Sequence, residues 1–195
     1  VEGYDLVGLL AEQQLARHPG SLILHDPRLT WNTLEVVTAA GGRVRQIPTG
    51  HVYFKRHMQE TGAVYAGEMS AHHYYRSFGG CDSGMLPWLC LVDRMNRSGK
   101  GLAELVSIPR ARYPVSGEIN RSVADSRAVL EAIRSRYAGQ ALREDRADGL
   151  SLEFPTWRFN VRASNTEPLL RLNVETRGDP QLLEERTAEL LEWMR

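Results

Sequence analysis

A carboxylate, a hydroxyl and two imidazoles follow one another in residues 67–73, Gly-Glu-Met-Ser-Ala-His-His, directly after an apolar run. A carboxylate such as Glu68 can accept hydrogen bonds from two neighbouring sugar hydroxyls, and Ser70 can donate one and accept one. An imidazole can donate a hydrogen bond to a phosphate or transfer a proton near neutral pH. The segment has the outline of a sugar-recognising loop, although Glu68 could also be a solvated carboxylate and Ser70 a helix cap.

A second group of polar side chains lies in residues 162–168, Arg-Ala-Ser-Asn-Thr-Glu-Pro. The guanidinium of Arg162 offers a planar fork of donors that matches two phosphate oxygens. Ser164 and Thr166 add hydroxyl donors, and a tight turn presents backbone N–H groups to an anion. Ser-Asn-Thr is also ordinary turn chemistry, and Arg162 could simply be exposed. The residues alone leave a phosphate-binding loop and a surface turn both open.

A metal or redox site finds little support in the sequence. Glu68 and His72 are four residues apart and could share a metal on a helix, but no third ligand stands at a suitable spacing, and Gly67 argues against a helix. Cys81 and Cys90 are the only cysteines, too few for a zinc or disulfide framework. We therefore expect no metal ligands in this chain, two reduced thiols and a cytoplasmic location.

Composition and charge exclude several classes of partner. The 195 residues carry a formal net charge of zero, which provides no overall field to attract nucleic acid or an anionic membrane. The longest apolar run, residues 85–92, is interrupted by Pro87 and falls well short of the ~20 residues needed to cross a bilayer. We expect no nucleic-acid partner and no membrane partner.

Residues 1–107 alternate helical and strand patterns, which predicts an α/β domain. The Gly67 segment follows a predicted strand, and ligands usually bind at the carboxyl ends of strands in open α/β sheets. Asn32 or Thr33 is expected to cap one helix, and Asp82 to cap a long apolar helix. The predicted strands are 21–25, 44–47 and 63–66, and the predicted helices are 5–18, 31–40, 52–59, 82–95 and 102–106.

Residues 108–115 contain two prolines between periodic segments and are predicted to be a linker. Residues 116–195 then read as strand, helix, three strands and helix, which predicts an α+β domain with an antiparallel sheet. Asp148-Gly149 signals a hairpin, and Asp125 and Asp179 are expected to cap the two helices. Alternation along 157–162 places Arg162 on the polar face of its strand, outside the core.

The two loops together resemble the sugar-binding and phosphate-binding loops of the α-D-phosphohexomutases, in the bacterial phosphomannomutase/phosphoglucomutase branch, and the resemblance covers residues 1–195. Such enzymes have four domains, with a phosphorylated serine in the first and a three-aspartate Mg²⁺ loop in the second. Neither motif is found in this sequence. The resemblance implies a C-terminal half: a third domain with a mixed sheet and flanking helices, then a fourth domain of the TATA-binding-protein-like type.

The resemblance also assigns roles to residues. It favours His72 over His73, and it adds His51, in a Thr-Gly-His motif, although His51 could instead cap the following helix. Arg28 occupies a position where some relatives carry a lysine that lines the cleft. The implied roles are catalytic for His51 and His72, substrate-binding for Arg28, Glu68 and Ser70, and phosphate-binding for Arg162, Ser164, Asn165 and Thr166.

The implied activity is the interconversion of mannose or glucose 6-phosphate and 1-phosphate through a bisphosphate intermediate. Mg²⁺ and a hexose 1,6-bisphosphate activator would serve the full-length enzyme, and the partners would be hexose phosphates and the missing N-terminal domains. The isolated chain is expected to be inactive. The alternative is a non-catalytic phosphosugar-binding module, and a nucleic-acid binder is disfavoured by the zero net charge.

Overall fold

The computed structural model describes residues 1–164 and 167–195, and these form two compact units, Val1–Arg110 and Ala111–Arg195. No helix in the described part of the chain is long and apolar enough to cross a membrane. In the order of the chain, the elements of the first unit are α1 (Gly3–Arg17), β1 (Leu22–His25), α2 (Trp31–Ala39), β2 (Arg43–Gln46), α3 (His51–Thr61), β3 (Tyr65–Gly67), β4 (His73–Tyr75), a 3₁₀ turn (Arg76–Phe78), β5 (Cys81–Asp82), α4 (Met85–Ser98) and α5 (Leu102–Arg112).

The first unit is built on a mixed five-stranded sheet in the order β2-β1-β3-β4-β5. The strands β2, β1 and β3 run parallel, whereas β4 is antiparallel to both β3 and β5. Helices cover both faces: Ile23 on β1 packs in a cluster with residues of α1 and α2, and its neighbour Leu24 packs in a cluster with Phe54 and Met58 of α3. The predicted α/β domain is confirmed, and the three predicted strands lie within two residues of their observed bounds.

Two predicted helix caps are wrong. Helix α2 follows Thr30 at its N-cap, so both Asn32 and Thr33 lie inside the helix rather than at its start. Helix α4 begins at Met85 after Gly84, and Asp82 belongs to strand β5. The carboxylate of Asp82 accepts a hydrogen bond from the backbone N–H of His73 on the neighbouring strand, at 2.9 Å. Asp82 is therefore committed to the sheet and is unavailable as a cap.

Helix α5 is longer than predicted and continues through Pro109 to Arg112. A proline inside a helix removes one backbone hydrogen bond. The segment is nevertheless held to the first unit, because the guanidinium of Arg110 bonds the buried carboxylate of Asp5, with Nη2 2.6 Å from Oδ2 and Nε 3.0 Å from Oδ1. Residues 108–112 are thus helical, and the role of 108–115 as a linker stays a prediction.

The second unit is an antiparallel sheet with two helices. Asp125 and Asp179 cap these helices as predicted, since their carboxylates accept backbone N–H bonds from Ala128 and Leu182 at 3.0 and 2.9 Å. The sheet order is β6-β10-β9-β8-β7. The elements are β6 (Ile119–Ser122), α6 (Ser126–Tyr137), a 3₁₀ turn (Ala138–Gln140), β7 (Arg143–Asp145), β8 (Leu150–Glu153), β9 (Trp157–Ala163), β10 (Leu169–Thr176) and α7 (Pro180–Glu192).

The two faces of this second sheet differ in chemistry. One face carries Phe159, Val161 and other apolar residues that pack with Ile133 of α6 and Leu190 of α7. The alternation predicted for β9 is confirmed, because Arg162 shares the opposite, polar face with Asn160. Its predicted place outside the apolar core is confirmed as well, but the polar face is covered, since Arg162 is only 8% exposed and Asn160 is fully buried.

The hairpin between β7 and β8 approaches β9 closely at Gly149. This glycine has a φ of +76°, and a Cβ at the position would lie 2.3 Å from the carbonyl oxygen of Val161 and 2.6 Å from the Cβ of Arg162. Gly178 has a similar φ of +65° with no heavy atom within 4 Å of such a Cβ. The two glycines therefore share a conformational requirement, but only Gly149 has a steric one.

We predict that Gly149→Ala destabilises the chain more than Gly178→Ala. Both variants place a side chain at positive φ, which costs about 1–3 kcal/mol, and only the first also forces β9 to move, for about 1–3 kcal/mol more. Urea denaturation followed by circular dichroism measures both. Equal losses in the two variants would show that the close approach to Val161 and Arg162 has no energetic consequence.

His73 on β4 is buried, and its Nδ1 lies 2.8 Å from the hydroxyl of Tyr65. Burial lowers the pKa of His73 from 6.5 to about 4, with a smaller opposing effect from Asp82 and a further lowering from His72. The unfolded chain therefore takes up a proton at this residue before the folded chain does. Stability from His73 is fully present above pH 6.5 and is lost as the pH falls towards 4.

We expect the free energy of unfolding to fall by about 2 kcal/mol between pH 7 and pH 5 because of His73, at 1.36 kcal/mol per pKa unit. His73→Gln keeps a polar group that can meet the Tyr65 hydroxyl but cannot titrate in this range. Its unfolding free energy, measured in urea at several pH values, should have a shallower pH dependence than that of the wild type. Parallel pH dependences for the two proteins would contradict the assignment, whatever the absolute stability of the variant.

Candidate functional site

One edge of the first sheet collects most of the residues that sequence analysis selected. Strands β1, β2 and β3 end at this edge. Arg28 and Glu68 lie in the loops after β1 and β3, and His51 begins the helix α3 that follows β2. Strand β4 runs the opposite way and so begins here, directly after His72, while β5 ends here at Asp82. The topology therefore brings four separate connections to one place, because residues 68–72 both follow β3 and precede β4, and a ligand site is expected at such an edge of an α/β sheet.

A buried carboxylate, Asp26, connects two of these loops. It accepts hydrogen bonds from the backbone N–H of Met69 at 2.7 Å, from the backbone N–H of Arg28 at 2.9 Å and from Nη2 of Arg28 at 2.6 Å. Burial by itself would raise the pKa of Asp26, but the charge of Arg28 and these hydrogen bonds outweigh it and hold the pKa below its usual value. Asp26 is thus an ionised anchor for the loop that contains residues 67–70.

Arg28 is itself buried, and it extends this anchor to the predicted sugar-binding residues. Its Nη2 donates to the Oγ of Ser70 at 3.3 Å and lies 3.9 Å from Oε1 of Glu68. The structure therefore brings the three predicted substrate-binding residues into one cluster. The cluster contains one cation and two anions, Asp26 and Glu68, all of them buried.

Glu68 is only 2% exposed, and both of its carboxylate oxygens have partners. Oε1 accepts the backbone N–H of Gly50 at 3.0 Å, and Oε2 accepts the hydroxyl of Tyr74 at 2.6 Å. Burial raises the pKa of Tyr74 and the hydrogen bond to Glu68 raises it further, so this phenol remains a donor. Glu68 therefore fixes the backbone directly before His51, a function that its position in the sequence does not reveal.

His72 and Asp82 form a hydrogen-bonded pair, with 2.8 Å between Nδ1 and Oδ2. The other carboxylate oxygen of Asp82 accepts the backbone N–H of His73. Burial would raise the pKa of Asp82, but the hydrogen bonds from His72 and from the backbone of His73 lower it overall. The ring of His51 lies beside that of His72, with 4.4 Å between the centroids. A histidine oriented by a carboxylate is the arrangement that supports proton transfer.

Sequence analysis missed Asp26, Tyr74 and the site role of Asp82. A carboxylate directly after a buried strand, two residues before an arginine, is a signal that could have selected Asp26. Asp82 gave no such signal because it is distant in sequence from its partners. The structure also brings donor atoms of His51, His72 and Asp82 within 4.8 Å of one another. The sequence had suggested only Glu68 and His72 as residues that could share a metal.

In the second unit, Arg162 lies at the centre of a charged group on the polar face of the sheet. Its Nη2 is 3.5 Å from Oε2 of Glu118, and Glu118 also accepts a bond from Nη1 of Arg171 at 3.2 Å. Nη2 of Arg171 donates to the Oγ of Ser164 at 3.4 Å. The structure thus connects the predicted residues Arg162 and Ser164 through Arg171 and Glu118, which sequence analysis did not select. Asn165 and Thr166 lie outside the described residues.

Asn160 supports the strand that carries Arg162. Its amide nitrogen donates to the carbonyl oxygen of Asp148 at 2.9 Å and to the Oγ of Ser151 at 3.0 Å. These bonds hold the β7–β8 hairpin against β9, where Gly149 makes its close approach. The position of the Arg162 backbone is therefore set by packing on one side and by hydrogen bonds on the other.

Comparison with known proteins accounts for both units. Residues 2–112 match the family model described as phosphoglucomutase/phosphomannomutase, alpha/beta/alpha domain III, and residues 118–192 match that of the C-terminal domain. A phosphomannomutase of Salmonella montevideo is 53% identical over 192 residues, which cover 98% of this chain and 42% of that protein. A Xanthomonas campestris protein named phosphohexose mutases is 52% identical, covering 100% of this chain and 44% of that protein.

A solved structure of similar shape is that of a phosphoglucomutase/phosphomannomutase family protein from Burkholderia thailandensis. It has a TM-score of 0.82 and 28% identity, over 98% of this chain and 42% of that one. The chain thus spans about two fifths of the length of these relatives. Family models match both units, and the observed order of a mixed sheet followed by an antiparallel one agrees with them. The chain therefore belongs to the phosphoglucomutase/phosphomannomutase family and corresponds to its two C-terminal domains.

Proposed function

We propose that this chain is the sugar-recognising and phosphate-recognising half of a phosphohexomutase that interconverts hexose 6-phosphates and 1-phosphates through a bisphosphate intermediate. The observation that carries the proposal is the convergence of Arg28, Glu68, Ser70, His51 and His72 on one sheet edge. The names of the Salmonella and Xanthomonas relatives support the same activity for the full-length protein. Mannose and glucose are both candidate sugars.

In this proposal the first unit recognises the sugar. The hydroxyl of Ser70 and the guanidinium of Arg28 are the groups that bind ring oxygens. Glu68 contributes in two ways, through the remaining lone pairs of its carboxylate and through the backbone of Gly50, which it holds in place. Because these groups are already fixed by Asp26, little conformational entropy is lost when the ligand binds.

His72 is the proposed proton-transfer residue, and Asp82 orients it. The Nδ1 of His72 faces Asp82, which leaves Nε2 as the nitrogen that can face a hydroxyl or a phosphate oxygen. His51 lies at the start of α3, where its imidazole can contact the same group.

Arg162, Ser164, Asn165 and Thr166 are the proposed phosphate ligands in the second unit. Arg162 is already paired with Glu118, so an incoming phosphate must compete with a carboxylate for the guanidinium. Arg171 shares Glu118 and adds a second positive charge beside Ser164. Glu118 therefore occupies part of the anion site and limits the affinity for phosphate.

Mg²⁺ and a hexose 1,6-bisphosphate activator belong to this proposal through the rest of the full-length protein. Among the described residues, one group of donors has ligand spacing, namely His51, His72 and Asp82. Two imidazoles and one carboxylate do not suit Mg²⁺, which prefers oxygen ligands in octahedral geometry. The 195-residue chain is accordingly expected to bind phosphosugar without turning it over. Free thiols at Cys81 and Cys90 accord with the proposed cytoplasmic location.

The phosphate assignment is tested by titrating inorganic phosphate and mannose 6-phosphate into the 195-residue chain by calorimetry. Arg162→Ala should weaken both ligands about tenfold or more, because a charge-assisted bidentate contact is worth about 1.5–3 kcal/mol. Arg162→Lys should recover only part of the loss, since an ammonium lacks the planar fork. Glu118→Gln should bind phosphate several-fold more tightly.

The control for this titration is Arg143→Ala, on the exposed strand β7 beside Asp145, which removes a positive charge away from the proposed site. It should leave both affinities unchanged. Normal phosphate binding by Arg162→Ala would remove the phosphate assignment. Weaker phosphate binding by Glu118→Gln would contradict the competing role of that carboxylate.

The proton-transfer assignment is tested in the full-length enzyme. His72→Ala and Asp82→Asn should lower kcat for mannose 1-phosphate by about tenfold to a hundredfold with a smaller change in KM, as expected for a lost general acid or base. Asp93→Asn on the surface of α4, where Asp93 pairs with Arg97, is the matched control and should retain activity. An Asp82→Asn enzyme with wild-type kcat would show that His72 needs no orienting carboxylate.

A further inference from the structure

Three side chains from three different segments form what we call the His–His–Asp cluster: His51 at the start of α3, His72 just before β4 and Asp82 at the end of β5. One donor atom from each lies within 4.8 Å of the other two. His51 is exposed and the other two are half-buried, so an ion can reach them from solvent without a rearrangement of the core. The cluster is therefore accessible as well as compact.

Two members of the cluster, Asp82 and His51, are held in place by groups behind them. Asp82 is fixed by the backbone N–H of His73, which bonds its second oxygen. His51 follows Gly50, whose N–H is bound by the buried carboxylate of Glu68, and its ring packs against Tyr74 with 5.5 Å between the centroids. Metal ligands that are oriented by neighbouring hydrogen bonds bind more tightly, because less order must be created on binding.

The donor set matches a particular class of ion. Two imidazoles and one carboxylate, with a fourth position open to solvent, are the ligands that tetrahedral Zn²⁺ takes in many sites, and Co²⁺, Ni²⁺ and Cu²⁺ accept the same donors. At ligand distances of about 2.0–2.1 Å, the donor atoms of such a site stand roughly 3.3 Å apart. The present 2.8 Å between His72 and Asp82 needs to open only slightly, with loss of the proton between them.

We propose that the His–His–Asp cluster is a binding site for a borderline divalent cation, Zn²⁺ foremost, and that it does not bind Mg²⁺. The proposal rests on the geometry of the three side chains and does not depend on the proposed function. If His72 also transfers protons in the full-length enzyme, an ion bound at Nδ1 of His72 and at the Asp82 carboxylate leaves the proton of the neutral imidazole on Nε2, which then cannot accept another one. Zn²⁺ would then inhibit the enzyme by binding directly to its proton-transfer pair.

The test is a titration of the metal-free 195-residue chain with ZnCl₂ by calorimetry and with CoCl₂ by visible absorption. One Zn²⁺ should bind per cluster, and Co²⁺ should develop the intense visible bands of tetrahedral coordination. MgCl₂ should give no binding signal. His51→Ala and His72→Ala should each weaken Zn²⁺ at least tenfold, and a fall in pH from 7.5 to 6 should weaken it because the ligands must lose protons.

The matched control is His57→Ala on the same helix, α3. His57 lies 3.5 Å from Glu60, so it offers an imidazole beside a carboxylate but is not a member of the cluster. This variant should bind Zn²⁺ like the wild type. Because His51 is exposed, His51→Ala tests the site without disturbing the core. Asp82 is bonded to the sheet, so Zn²⁺ binding by Asp82→Asn is interpreted together with a urea denaturation curve of that variant.

Undiminished Zn²⁺ binding in His51→Ala and His72→Ala would overturn the proposal, as would an equal loss in His57→Ala or absence of the tetrahedral Co²⁺ spectrum. Failure here is distinguishable from failure of the proposed function. The metal titration contains no sugar or phosphate, and the phosphate and turnover experiments contain no Zn²⁺. A chain that binds Zn²⁺ at the cluster while Asp82→Asn retains full turnover would keep the metal site and lose the proton-transfer role.

Discussion

The buried carboxylate of Asp26 is the interaction on which the site in the first unit depends. It lies at the end of β1 and holds the loop after β3 through Met69, while its ion pair fixes Arg28. Arg28 in turn reaches Ser70 and Glu68, and Glu68 determines where α3 begins. An isolated buried carboxylate would be costly, but one with three charge-assisted hydrogen bonds is stable as an anion. Loss of either partner would leave an uncompensated charge in the interior.

This chain of contacts explains why the site residues are so little exposed. Arg28 and Glu68 are buried beside one another, and their geometry is set before any ligand arrives. The more accessible chemistry is carried by Ser70, His51 and His72, which stand on top of the buried layer. Such a division suits a pocket in which the buried layer offers a few rigid contacts and the upper layer supplies the accessible ones, because rigid support improves the precision of the groups that bind.

The second unit also buries charged side chains, but it does so on one face of an antiparallel sheet. Its apolar face packs against two helices, and its other face buries polar residues, among them an ion pair in which Nη1 of Arg158 lies 2.6 Å from Oε1 of Glu175. Arg162 lies on the same face of β9, four residues after Arg158 and next to Asn160. The guanidinium that would bind phosphate is thus part of a buried polar row rather than a free surface charge. Its pairing with Glu118, which also accepts a hydrogen bond from Arg171, balances part of this positive charge in the absence of a ligand.

The sequence by itself determined the two folds and the location of the loops. Hydrophobic periodicity depends on local spacing, so the alternation of helices and strands, the hairpin at Gly149 and the caps at Asp125 and Asp179 could all be predicted. The family motifs in turn selected residues 67–73 and 162–168. Contacts between distant segments could not be predicted in this way. Asp82 looked like a helix cap because its partner His72 lies across a strand pair that only the folded sheet creates.

The same limit applies to Glu68 and Arg162, whose types and positions were predicted but whose partners were not. Glu68 seemed free to bind a sugar, yet the fold places Gly50 and Tyr74 against it. The sequence left open whether Arg162 is exposed, and the fold buries it beside Glu118, which is 44 residues away in the chain. Sequence patterns report which face of a strand a side chain occupies. Long-range packing decides which residues cover that face and which charges meet there. Only the tertiary structure shows these contacts.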